Sequence, residues 1–177
     1  MNMNAIKSLA TGCIVVACLS AGAAERLPID ARMIGEGERS LRGWTFNEVE
    51  GFKPYGEVRP VMLNGHAGVR LISTGRQTQL YHATSLPVKA GDSLLFTAKV
   101  RGKGHASIGF FMYGKSWAWK GSSGAPVAVD AGDADEPVEI RERLYVPEDV
   151  VSVRPTLCVN NGDSVEFYDL RLERETK

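Results

Sequence analysis

Hydrophobic and polar residues alternate along most of the chain. Leu94, Phe96, Ala98 and Val100 occupy every second position, as do Ala106, Ile108, Phe110 and Met112, and again Val151, Val153, Pro155, Leu157 and Val159. A period of two marks strands with one buried face, because successive side chains of extended backbone point to opposite sides. Short runs of this kind, broken by glycine, proline or acidic clusters, predict strands near 44–47, 57–63, 68–73, 79–88, 93–101, 106–113, 126–129, 138–146, 151–159 and 164–173. No stretch carries the apolar stripe of an amphipathic helix. The expected fold is all-β, an antiparallel β-sandwich of the jelly-roll kind.

Residues 1–24 break this rhythm. A weakly basic start, Met1 to Lys7, precedes an apolar run over 9–19, and Ser20-Ala21-Gly22-Ala23-Ala24 leads to the first acid, Glu25. This is the three-part layout of a secretory signal peptide, with Ala21-Gly22-Ala23 as an A-x-A cleavage site. The apolar run is shorter than the roughly 20 residues a bilayer span requires. The expected product is one domain over 25–177, secreted or periplasmic. A second reading stands beside it: Val15-Val16-Ala17-Cys18 resembles a lipoprotein box, which would place a lipid on Cys18 and tether the chain to the cell envelope membrane.

Composition narrows the function classes. The chain has 177 residues, 44% of them hydrophobic, and its 21 basic residues balance 21 acidic ones. A core is affordable, and the general attraction that nucleic-acid binding needs is lacking, so no nucleic-acid partner is expected. Once Cys13 and Cys18 leave with the signal segment, Cys158 has no partner for a disulfide, and its strand setting marks a packed thiol rather than a nucleophile. His66, His82 and His105 show no zinc spacing, and neither a nucleophile elbow nor a phosphate loop is present. The acidic stretch Asp130 to Glu136 lacks the register of a calcium loop and reads as a solvated turn. Glycosidase carboxylates are paired by folds rather than by spacing, but a lone domain of this length is small for such an enzyme, and the chain is expected not to be one.

The positions between the core residues carry the candidate chemistry. They hold Lys99 and Arg101; Phe111 and Tyr113; Arg141, Arg143 and Tyr145; and Arg154 with Thr156. A solvated face would look like this. So would a recognition platform, in which arginine gives planar, bidentate hydrogen bonds to carboxylate, sulfate or vicinal hydroxyls while aromatic rings stack on sugars. Trp117 and Trp119, two of the three tryptophans, lie between Lys115 and Lys120 beside a Gly/Ser stretch. They read either as a cap on the end of the core or as a stacking edge.

Several motifs, in order, resemble galactose-binding-like β-sandwich carbohydrate-binding modules. Met33-Ile34-Gly35-Glu36-Gly37-Glu38 followed by Gly43-Trp44-Thr45-Phe46 is similar to their opening. Val88-Lys89-Ala90-Gly91-Asp92 and Val100-Arg101-Gly102 resemble a strand entry and exit, and Val165 to Leu172, with Asp169 inside it, resembles their last strand. The resemblance implies a non-catalytic protein that binds a polysaccharide or oligosaccharide, and the arginines favour an acidic one. It also implies a structural Ca²⁺ held by Glu38 and Asp169, although Asp169 would serve equally by hydrogen-bonding the N-terminal segment. The competing class is a structural or protein-interaction module of the cell envelope on the same scaffold.

Overall fold

A computed structural model describes residues 24–29, 43–46, 56–75, 77–130, 136–160 and 162–175. Among these residues eleven strands form one antiparallel sheet that curls on itself. They are β1 (Ala24–Arg26), β2 (Trp44–Phe46), β3 (Gly56–Leu63), β4 (His66–Ser73), β5 (Gln77–His82), β6 (Leu86–Pro87), β7 (Ser93–Tyr113), β8 (Trp119–Asp130), β9 (Val138–Tyr145), β10 (Ser152–Asn160) and β11 (Ser164–Glu175). Between β7 and β8 lies a single 3₁₀ turn, Lys115–Trp117.

The long strand β7 joins two layers. Its first half runs between β9 and β11, and its second half between β8 and β10. One layer therefore reads β9-β7-β11-β4-β3, with β1 added to β11. The other reads β8-β7-β10-β5-β2, with β6 added to β10. The sequence predicted two strands here, 93–101 and 106–113, because Gly102-Lys103-Gly104 looks like a break. These residues are instead the bend inside one strand. Both glycines sit at φ +128, and a Cβ would lie 2.3 Å from the Ser164 carbonyl oxygen at Gly102 and 2.0 Å from Asp163 Cγ at Gly104. Only glycine combines that backbone with that closeness.

The bend lets the two halves of β7 face one another, with the Phe96 and Phe110 rings 5.8 Å apart across the interior. Val69, Leu71, Leu94, Val100, Val165, Phe167 and Leu172 from one layer close on Leu80, Ile108, Val153, Leu157 and Val159 from the other. Burial of each such side chain contributes about 1.5–3 kcal/mol, which is what holds the layers together. Trp44, on the marginal strand β2, is buried edge-on against His82 with ring centroids 5.5 Å apart.

Two further boundaries differ from expectation. The run 79–88 divides into β5 and β6, with the backbone at Ala83 leaving β10 to donate to the Gly43 carbonyl. The Gly/Ser stretch after Trp119 is no loop: it forms β8 from residue 119, paired along β7 down to Lys103–Asp130. Its glycines take extended backbone of positive φ, +117 at Gly121 and +152 at Gly124, which hides the strand from side-chain patterning.

Candidate functional site

The outer face of the β8-β7-β10-β5 layer gathers rings around one guanidinium. The register sets Arg154 opposite Phe111, Phe111 opposite Ser122, and Tyr113 opposite Trp119, while Thr156 lies between Gly109 and Tyr81. Side chains at directly opposed positions of antiparallel strands share a face. The Arg154 guanidinium carbon lies 5.3 Å from the Tyr81 ring centre, 5.8 Å from that of Tyr113 and 5.0 Å from that of Trp117. Tyr113 meets Trp117 and Trp119 edge-on at 5.6 and 5.7 Å, and Phe111 meets Trp119 at 5.2 Å and Tyr81 at 5.9 Å.

Local backbone builds this cluster. After β7 ends, the 3₁₀ turn reverses the chain with Ser116 at φ 57 and Trp117 at φ 63. Left-handed backbone at a tryptophan is strained, and the surrounding contacts hold it there. The turn is closed by Gly114 N–H on the Ala118 carbonyl at 2.8 Å and Ala118 N–H on the Lys115 carbonyl at 3.2 Å. Lys120 then reaches Asp149 at 2.6 Å, fastening the start of β8 to the turn before β10. That lysine's hydrogen bond holds the Asp149 carboxyl below its ordinary range.

The rings divide into a wet and a dry set. Trp117 and Trp119 are 60% and 56% exposed, whereas Phe111 is buried beneath Trp119 and supports it. Burial pushes the Tyr113 hydroxyl above its ordinary pKa, against the pull of Arg154. Arg154 Nε is buried with no hydrogen-bond partner among the described residues. The strip beside the rings is lined by small residues. At Gly109 a Cβ would lie 2.0 Å from the Ser123 carbonyl oxygen. Further along the same face, Gln77 donates to Asn160 at 3.3 Å, and Cys158 is packed away with its thiol pushed by burial up to about 11.

Of the residues expected to form the platform, Phe111, Tyr113, Trp117, Trp119 and Arg154 come together. Arg101, Arg141, Arg143 and Tyr145 do not; they lie on the outer face of the opposite layer. Alternation along a strand says "away from the core", and in a sandwich that is two opposite directions. The arginines there are occupied. Arg101 Nε donates to Glu166 at 3.0 Å, Arg141 Nε to Glu139 at 2.6 Å, and Arg143 pairs with Glu175. Tyr145 stands apart, 66% exposed. Glu166 is buried and also takes Arg70 and the Tyr168 hydroxyl, the latter at 2.5 Å. Tyr81 was not among the candidates, although its place between the core residues Leu80 and His82 puts it on the outer face.

Glu38, one of the two expected calcium ligands, lies outside the described residues. Asp169 sits at φ 49 where the β11–β7 register shifts, and its two oxygens each face a basic group, Lys99 Nζ and His66 Nδ1, both at 2.8 Å. The lysine, and secondly the histidine, hold its carboxyl below the usual range against the opposing effect of burial. Among the described residues no group of three or more His, Cys, Asp or Glu is gathered as a metal would need.

No protein-family model and no curated protein matches the chain. Solved structures do. The family 11 carbohydrate-binding module of the cellulosomal cellulase Lic26A-Cel5E of Clostridium thermocellum superposes with TM-score 0.56 at 14% identity, over 89% of this chain and 97% of that one. The CBM22-1 xylan-binding domain from Paenibacillus barcinonensis Xyn10C gives 0.55 at 11% identity, again over 89% and 97%. An arabinose-bound MgGH51 α-L-arabinofuranosidase gives 0.61 at 9% identity over 86% of this chain, but this chain spans only 27% of it. At such identities the likeness is one of fold. The chain folds as a β-sandwich similar to these modules, matching nearly the whole of each module and only part of the larger enzyme.

Proposed function

We propose that this protein is a non-catalytic carbohydrate-binding module whose ligand lies on the β8-β7-β10-β5 face. The observation that carries this reading is the cluster of Tyr81, Tyr113, Trp117 and Trp119 around Arg154 on the rim of a strip of small residues. Exposed indole rings offer apolar area to the C–H faces of a pyranose at low entropic cost. The partly exposed Arg154 guanidinium, with the amides of Gln77 and Asn160 further along, would meet hydroxyl or carboxylate oxygens. The fold of the modules described above supports the same reading.

An acidic glycan is the preferred ligand. Arg154 faces rings instead of a carboxylate, so its charge is available to a uronate or sulfate, whereas the arginines of the opposite face are already matched by acids. Affinity electrophoresis of the mature protein in neutral and uronic-acid polysaccharides tests this. Retardation by the acidic gel that weakens with added salt supports it, because salt screens such a contact. Retardation only by neutral glycans overturns the acidic preference and leaves the sugar site standing.

The signal layout of residues 1–24 supports export to the periplasm or medium. Intact-mass analysis of the protein from its native host should give a mature N-terminus at Ala24 or Glu25. An unprocessed Met1 would contradict export, and a diacylglyceryl group on Cys18 would select anchoring to the envelope membrane.

A further inference from the structure

We infer that the Lys99 ammonium and the His66 imidazole occupy the place of a structural cation at Asp169, so that this module locks its last strand without calcium. The resemblance to galactose-binding-like modules implies an ion at this aspartate, but its described surroundings do not fit one. Calcium seeks six to eight oxygen ligands in an electronegative shell. The two oxygens of Asp169 each have a basic side chain at 2.8 Å. Two hollows of about 530 and 280 Å³ adjoin the pair, and His66 and Asp169 line both. Their walls add Arg26, Arg171 and Glu173 in one and Asn64, Lys99 and Glu136 in the other, so that each further acid shares its hollow with a basic group. An arriving dication would have to displace the lysine from Asp169, and the described residues gather no group of three or more His, Cys, Asp or Glu there to replace it.

The topology shows what the clamp does. Asp169 sits in the bulge where β11 changes partners, from Tyr168 opposite Lys99 and Gly68 to Arg171 opposite Thr97. His66 opens β4 at the β3–β4 hairpin, and Lys99 lies in the first half of β7. One carboxylate therefore ties three strands at the point where their ladder is interrupted, which is the task an ion would perform. The left-handed backbone at Asp169 aims the carboxylate outward at both partners.

Thermal unfolding of the mature protein in EDTA and in millimolar calcium tests the inference, because an ion that binds only the folded state must raise the Tm. The wild-type Tm is expected to be the same in both. Lys99→Met and Asp169→Asn are each expected to lower it, and the double variant to lose no more than Asp169→Asn alone, since that change already removes the Lys99 contact. A calcium-dependent rise in the wild type that Asp169→Asn abolishes would overturn the inference. So would single variants that leave the Tm unchanged, or losses that simply add in the double variant.

Discussion

Arg154 and Trp117 are stacked, with the guanidinium carbon 5.0 Å from the ring centre. Trp117 belongs to a strained turn and Arg154 to a regular strand, so the stack ties the turn to the sheet. A cation over an indole contributes about 0.5–2 kcal/mol, depending on how far it is desolvated. Arg154→Ala should therefore free Trp117 without unfolding the sandwich. Acrylamide quenching of tryptophan fluorescence should increase while the far-ultraviolet circular dichroism is unchanged. Unchanged quenching would show that the turn holds Trp117 by itself.

Glu166 is one of the carboxylates whose contribution to stability should be lost in acid. Burial pushes its carboxyl up, but hydrogen bonds from Tyr168, Arg70 and Arg101 outweigh burial and hold it below the ordinary 4.5. The Tyr168 hydroxyl is pushed up to about 12, by burial first and then by Glu166. A carboxyl with a lowered folded pKa stabilises the fold above its unfolded value, and the contribution disappears as pH falls through the folded value. Glu166→Gln should cost roughly 1–3 kcal/mol at neutral pH. Denaturant titrations should show the wild-type advantage over Glu166→Gln constant above about pH 5 and shrinking below 4.5. An advantage independent of pH would place the loss elsewhere.

Gly109 keeps β8 close to β7. Its added Cβ would meet the backbone of Ser123 and Gly124, at 2.0 and 2.9 Å, so neither neighbour can yield cheaply. Gly109→Ala should push β8 outward, lower the Tm and spread Phe111 from Trp119, with exchange protection lost first at amides of β8. Equal loss of protection in β4 and β11 would show that the damage is general.

Much of the fold is legible in the sequence because burial on one face imposes period two wherever a strand has one wet side. Leu94 to Val100 and Ala106 to Met112 are core residues for that reason. The continuity of β7 was hidden because Gly102 and Gly104 carry no pattern, and β8 because glycine and serine fill its first half. The site was half legible. Alternation placed Phe111, Tyr113 and Arg154 outward correctly, and equally Arg101, Arg141, Arg143 and Tyr145. Which outward side each one faces depends on where β7 bends and on which neighbours it pairs with, and those are long-range facts. The same limit hid the carboxylates Glu139, Glu166 and Glu175 that occupy three of those arginines.

The placement of the site on one of the two faces is best tested by affinity electrophoresis of five folded proteins in a glycan that retards the wild type. They are the wild type, Trp117→Ala, Trp119→Ala, Arg154→Ala and Arg143→Ala. Loss of a stacking ring costs on the order of 1–2 kcal/mol, about tenfold in affinity. Trp117→Ala and Trp119→Ala should each weaken retardation by about that factor, and Arg154→Ala should weaken it most in acidic glycans. Arg143→Ala, on the opposite face and paired with Glu175, should migrate as the wild type does. Equal retardation of the wild type and both tryptophan variants, or a loss confined to Arg143→Ala, would contradict the account and move the ligand to the other layer.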